Sequence, residues 1–159
     1  MKLAVTNQKG GVGKTTTSVN LAASLAAMHR RVLLVDLDPQ GHATMGLGVD
    51  KNEAEVTVYD VLMAPDEGTA AVVNIESAGV DLIASNVDLT GAELELIDLP
   101  RREFRLADAL RQVSGYDYVI IDCPPSLGLL TLNGLAASDR VLIPIQCEYY
   151  ALEGLTALL

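Results

Sequence analysis

The chain has no tryptophan, a single phenylalanine (Phe104) and only 4% aromatic residues among its 159. Few side chains are therefore available to stack on a nucleobase. Cysteine is equally scarce: Cys123 and Cys147 are the only two, and no C-x-x-C pair occurs. That spacing argues against a disulfide framework or a metal site, and two buried thiols are expected. Positive charge is also in short supply. Eleven Lys and Arg stand against twenty-one Asp and Glu, for a formal net charge of −10, so the field around the chain repels polyanions and any contact with nucleic acid has to be local. No apolar run reaches the length of a membrane span, and Met1-Lys2 leads straight into a strand-like segment without a secretory apolar region. A cytoplasmic location with no membrane attachment is expected. Internal repeats, low-complexity tracts and linkers are missing too.

What is there is rich in apolar residues, which make up 50% of the chain. That is enough for one domain over residues 1–159 with a sizeable core, and too little for two. Short apolar runs at 3–6, 32–36, 80–84, 118–122 and 141–145 alternate with helical patterns. The runs are continuous rather than alternating polar and apolar, as strands covered on both faces are. The expected fold is α/β: three layers, with a mostly parallel sheet between helices. A first helix is expected over 14–28, with Leu21, Leu25 and Met28 on one stripe beside Val19, Ala22 and Ala26. A second should run over 58–63, capped by Thr57 and stopped by Pro65, and a third from Pro100 to Val113 on the spacing of Leu106, Leu110 and Val113. Residues 86–98 also read as helical. The last segment, 151–159, reads as a helix without a glycine or basic C-terminal cap, so the chain is expected to stop inside a domain whose C-terminal part is missing.

Between the first strand and the first helix lies Lys9-Gly10-Gly11-Val12-Gly13-Lys14-Thr15-Thr16. Glycines let successive N–H groups turn inward around an anion, the following helix offers its positive end, and Lys14 supplies a point charge for terminal phosphates. Thr15 would hold magnesium through its hydroxyl. The strict phosphate-loop pattern wants glycine five places before Gly13, where Gln8 stands, so this is a variant loop marked by its second lysine, Lys9. Two carboxylate clusters fall at the C-terminal ends of other expected strands, the edge where open α/β sheets bind ligands. In Asp36-Leu37-Asp38-Pro39-Gln40-Gly41, Asp38 can face a terminal phosphate and orient water, while Asp36 is expected to be a turn or cap residue. Asp122, ahead of Cys123-Pro124-Pro125-Ser126, is carried by an apolar strand toward the metal's water shell.

The run 7–16 around that loop, Val35 to Gly41, and Ile121 to Ser126 together resemble the ParA/Soj chromosome and plasmid partition ATPases, of the ParA/MinD class with a deviant Walker A loop. Tyr59-Asp60-Val61-Leu62 and the run 148–155 are similar to the ParA branch as well. The resemblance implies a P-loop NTPase fold, with ATP and Mg2+ as cofactors held by residues Lys9, Gly10, Gly11, Val12, Gly13, Lys14, Thr15 and Thr16. Thr15 and Asp122 would manage magnesium, and Lys9, Lys14 and Asp38 would carry the chemistry. It further implies a homodimer closed on ATP, in which Lys9 crosses to the partner's phosphates. Hydrolysis would be slow alone and stimulated by a ParB-type protein. DNA would be bound without sequence preference by basic residues that mostly follow this region, with nucleoid association of the full-length form.

Alternatives are a MinD-like positioning ATPase, which needs a C-terminal amphipathic helix, and a truncated nucleotide-binding or partner-binding domain without turnover. Relatives of the nitrogenase reductase type need cluster-binding cysteines; the count allows one ligand each from Cys123 and Cys147, but nothing else supports a cluster and two buried thiols are the expectation. Arg101, Arg102, Arg105 and Arg111 gather after Pro100 and could touch phosphates, but with Glu103 and Asp108 interleaved they read better as a solvated helix face. His42 stands where many such relatives have asparagine, and His29-Arg30 where a glycine commonly ends the first helix. Both histidines are expected to be surface or turn residues.

Overall fold

The computed structural model describes residues 1–147. Its strands are β1 (Lys2–Val5), β2 (Val32–Asp36), β3 (Val72–Ile75), β4 (Val80–Ile83), β5 (Tyr118–Asp122) and β6 (Arg140–Leu142). They form one sheet in the order β3-β4-β2-β5-β1-β6, in which all pairs are parallel except β3 with β4. The helices are α1 (Lys14–Ala27), α2 (His42–Gly46), α3 (Val58–Met63), α4 (Leu89–Leu96), α5 (Arg105–Gln112) and α6 (Leu129–Ala137), with a 3-10 helix at Pro65–Ala71. The mostly parallel sheet with helices on both sides is the expected α/β fold.

Alternate residues of each central strand enter two separate cores. Leu33, Val35, Ile83, Val119 and Ile121 pack on one side with α3 to α6, through Leu62, Leu89, Leu106 and Leu130. Val32, Leu34, Leu82 and Ile120 pack on the other with Ala22 of α1 and Ala43 of α2. Both faces of β2 are buried over its whole length, which is why its sequence reads as one unbroken apolar run. Because the strands are parallel, Val5, Asp36, Ile83 and Asp122 all end at one edge, and the register puts Asp36 directly beside Asp122.

Four elements were not anticipated from the sequence: α2, α6, β3 and the 3-10 helix at Pro65–Ala71. Other boundaries moved. The strand expected over 141–145 stops at Leu142, because Pro144 has no N–H to give a ladder. The helix expected from Pro100 begins at Arg105, and Arg101 holds a left-handed φ of 54° in the turn before it. On α1 Val19, Leu21, Leu25 and Ala26 pack against the sheet-side core around buried Ala22, as expected, with Lys14 and Ser18 also buried on that helix; Met28, expected on the same stripe, is 66% exposed. His29 takes the left-handed position after that helix, with φ 59°, where glycine is usual. Thr57 caps α3 as expected, in a reciprocal box with Asp60. The two-thiol expectation holds by half: Cys123 is buried and Cys147 exposed. Among the described residues no helix is long and apolar enough to cross a membrane. The helix expected over 151–159 and the run 148–155 lie outside the described residues.

Candidate phosphate and cation site

The loop leaving β1 enters α1 through Gly13, whose φ of 86° no side-chain-bearing residue holds without strain. No protein atom lies within 4 Å of where a Cβ would stand at Gly10, Gly11 or Gly13, so packing does not demand these glycines. The positive φ at Gly11 and Gly13 does, and the bare backbone it leaves suits an anion. A cleft of about 440 Å³ opens over the loop, lined by Gly10, Gly11, Gly13, Lys14, Thr15, Thr16, Asp38, Gln40, His42 and Pro125. Most of the expected phosphate and catalytic residues therefore meet in one place. Val12 does not line it. Its side chain is buried, 7% exposed, leaving only its backbone for a ligand. Lys9 is exposed and lies outside the cleft lining, with its backbone N–H donating to Asn7 Oδ1 at 3.0 Å.

Lys14 begins α1 and is 7% exposed. Its ammonium donates to the Lys9 carbonyl over 3.4 Å, a long bond that a phosphate oxygen could replace with a stronger one. Beneath the loop, Asp122 is fully buried at the end of β5. It accepts from Thr15 Oγ1 at 2.8 Å and from Ser18 Oγ at 2.7 Å. Burial pushes its carboxyl above the ordinary range, the two hydroxyls and the Lys14 charge pull against this, and Asp38 adds to the rise. A hydroxyl that donates its proton keeps its lone pairs, so Asp122 presents the Thr15 oxygen ready for a cation.

Among the described residues no group of three or more His, Cys, Asp or Glu is set to hold a metal by itself. The donor set still fits magnesium, which keeps several waters and takes only one or two protein oxygens alongside substrate phosphates. Thr15 and Asp38 bring hard oxygen donors to the cleft above Asp122, whose carboxylate, its charge penalised by burial, gains from positive charge nearby.

Asp38 sits half-buried in the loop after β2. Its Oδ1 accepts from the Gln40 N–H at 2.9 Å, an Asx turn that fixes the carboxylate. Asp36, expected to be a turn residue, is fully buried and accepts from Asp38 N–H at 3.1 Å and from both Thr44 N–H and Thr44 Oγ1 at 2.8 Å. Desolvation carries its pKa up to about 7 despite these donors. His42 is exposed, as expected, but lines the cleft near Asp38.

Sequence reasoning missed Ser18, Thr44, Ser85 and Gln146. Ser18 had a signal, lying one helical turn after Lys14 and so on the same face. Gln146, which donates to the Gly11 carbonyl at 3.0 Å, had none. The four arginines after Pro100 make local ion pairs and hydrogen bonds rather than one solvated helix face. Arg101 makes a two-pronged pair with Asp108, Arg111 joins the same carboxylate, Arg102 pairs with Glu103, and Arg105 donates to the carbonyls of Leu62 and Met63 at the end of α3. Arg101 and Arg102 lie before the helix rather than on it.

Similar proteins were found along the whole chain. It is 58% identical over 158 residues to the sporulation initiation inhibitor protein Soj of Bacillus subtilis, covering 99% of this chain and 62% of that protein. It is 57% identical over 157 residues to the chromosome partitioning protein ParA of Myxococcus xanthus, covering 98% and 56%. A crystal structure of cobyrinic acid a,c-diamide synthase from Mycobacterium smegmatis, with bound ATP analog and magnesium, superimposes with a TM-score of 0.94 at 50% identity over 99% of this chain and 64% of that one. The chain thus spans about three fifths of the length of the curated relatives it matches. Residues 1–159 match the AAA domain family AAA_31, and the chain belongs to that family, in its ParA/Soj branch with the two-lysine phosphate loop.

Proposed function

We propose that this chain is the nucleotide-binding part of an ATP-dependent molecular switch for chromosome or plasmid segregation. It would bind ATP with Mg2+, hydrolyse it slowly, and close as a homodimer while ATP is bound. The observation that carries the reading is the convergence of Lys14, Thr15 and Asp38 on one cleft above buried Asp122. A solved relative holds an ATP analog and magnesium, and the relatives named Soj and ParA support partition over the MinD-like alternative.

The residues divide the work by position. Bare N–H groups from Gly10 to Gly13 receive phosphate oxygens, and Lys14 exchanges its long bond to the Lys9 carbonyl for them. Thr15 and Asp122 would hold magnesium, which would supply positive charge against the phosphates. Thr15 gives its oxygen to that ion, while Asp122 holds the hydroxyl in place. Asp38, fixed at Oδ1 by Gln40, keeps Oδ2 to orient an attacking water. Slow turnover follows because orienting water without neutralising all the developing charge leaves much of the barrier standing. Exposed Lys9 suits a cation delivered to a second copy. A ParB-type partner would supply the stimulation, and non-specific DNA binding would use surfaces beyond these residues. Cytoplasmic location, with nucleoid association through DNA, belongs to the same reading.

Isothermal titration with Mg-ATP tests it. The protein should bind, and Lys14→Ala should weaken binding about 10- to 100-fold, the worth of a charge-assisted contact. Absence of binding heat in the wild type, beside a folded circular dichroism spectrum, would favour a partner-binding domain without turnover.

A further inference from the structure

Asp38 is tethered by more than its own turn. Its backbone N–H donates to Asp36 Oδ1 at 3.1 Å, and its carbonyl accepts from Ser85 Oγ at 2.7 Å. The Ser85 N–H donates in turn to Thr44 Oγ1 at 2.9 Å, and Thr44 Oγ1 donates to Asp36 Oδ2 at 2.8 Å. The four residues close a ring in which Thr44 Oγ1 serves two links, accepting from Ser85 and donating to Asp36. Asp36, Thr44 and Ser85 are all fully buried. Both peptide groups flanking the Asp38 side chain are thereby fixed, one to the end of β2 and the other to Ser85, two residues past the end of β4.

Gly41 completes the fit. With φ 65°, it turns the chain into α2 so that Thr44 faces Asp36, and a Cβ there would come within 3.0 Å of the Ser85 carbonyl.

We infer that Ser85 and Thr44 are positioning residues for hydrolysis, holding the Asp38 carboxylate at its place in the cleft through this closed ring. The inference rests on the reading that Asp38 orients the attacking water. It extends the active unit to β4, a strand that carries no phosphate-loop or carboxylate motif. A carboxylate on a short loop wanders by its backbone as well as its side chain. Fastening both adjoining peptides to the rigid sheet removes that freedom before nucleotide arrives.

Ser85→Ala is the informative variant. The Asp38 carbonyl keeps its bond from the Gly41 N–H at 2.9 Å, so the fold loses little while the link to β4 is cut. Expected is a fall in kcat of about tenfold with KM for ATP within about twofold of wild type. Amide exchange over residues 38–41 should speed up by a similar factor, with β2 and β5 unaffected. Thr44→Val, which keeps the shape and removes the hydroxyl, should act the same way, and Thr44→Ser should restore wild-type values. Unchanged kcat in Ser85→Ala overturns the inference, as does a fall in kcat that tracks global unfolding, or a fall in Thr44→Val that Thr44→Ser does not restore. Asp38→Ala separates the two readings. If Asp38→Ala is inactive while Ser85→Ala hydrolyses normally, the ring is structural only; if Asp38→Ala hydrolyses at the wild-type rate, the role of Asp38 itself is wrong, and the exchange data alone decide whether the tether exists.

Discussion

Asp36 is a carboxyl group with no access to water, and its charged form is penalised by burial first and by neighbouring Asp122 after that, against three hydrogen-bond donors. Its pKa near 7 in the folded protein lies above the 3.8 of an exposed aspartate. Between these values the folded state holds a proton that the unfolded chain has released. The contribution is therefore complete below about pH 4 and lost as pH rises through about 7, on the order of 4 kcal/mol across the window. Urea denaturation at pH 4.5 and 7.5 in nucleotide-free buffer should give higher stability at the lower value, with Asp36→Asn flattening most of the difference. A slope that survives the substitution would assign the proton elsewhere. Ser18 tests the same layer from the other side of the sheet edge. Its hydroxyl donates to Asp122 Oδ1 in a fully buried setting, and Ser18→Ala should cost about 1–3 kcal/mol by urea titration. Ser18→Thr offers no substitute, since the added methyl has to enter the packed face of α1.

At the scale of elements, Arg105 does for α3 what a C-cap does elsewhere. That helix ends at Met63 before Pro65, so its last carbonyls lack helical partners, and the Arg105 guanidinium from α5 satisfies those of Leu62 and Met63. Arg105→Ala should lower stability by about 1–3 kcal/mol in thermal or chemical melts, whereas Arg111→Ala, which removes an exposed pair, should change it by less than about 1 kcal/mol. Equal effects would mean that the guanidinium is no cap. The same helices explain what was legible in the sequence. Strands β1, β2, β4 and β5 stood out because burial on both faces demands unbroken apolar runs, and the phosphate loop stood out because its glycines answer to backbone geometry. α6 was missed because Leu-Leu-Thr-Leu-Asn-Gly-Leu-Ala-Ala has no polar face to give a helical period. Its Asn133 is buried and spends its amide on the Leu106 N–H and on the Arg102 and Leu129 carbonyls, a role no local pattern announces. β3 was missed because it is a four-residue antiparallel edge strand with two exposed residues in the middle. Thr44 and Ser85 were invisible for a different reason: their partners lie 8 and 47 residues away in sequence, at ends of strands that only the sheet order brings together.

For the whole molecule, electrostatics decides whether two copies can close on nucleotide. Each chain carries a formal charge of −10, and each Mg-ATP adds further negative charge at the sheet edge where Asp36, Asp38 and Asp122 already gather. Bringing two such edges together is unfavourable unless cations enter from both sides, since a like charge a few ångströms away costs several kcal/mol once water is excluded. Lys14 is committed to its own loop by burial. Lys9 is exposed and outside the lining of its own cleft, and in the proposed dimer it would be the cation offered to the facing copy. In the proposed dimer a lysine used this way would stabilise the closed state and add nothing to the open monomer, and its differential affinity would make ATP a switch. Lys9→Ala should therefore retain Mg-ATP binding within a few-fold by titration while ATP-dependent dimerisation disappears in sedimentation velocity. Lys14→Ala should lose both, because a cleft that cannot hold the nucleotide gives the partner's lysine nothing to reach. Raising salt from 50 to 200 mM should weaken the wild-type dimer if the Lys9–phosphate contact is solvent-accessible, and leave it unchanged if closure excludes water from that contact. Wild-type dimerisation by Lys9→Ala would remove the trans role and with it the reason for a second lysine in the loop.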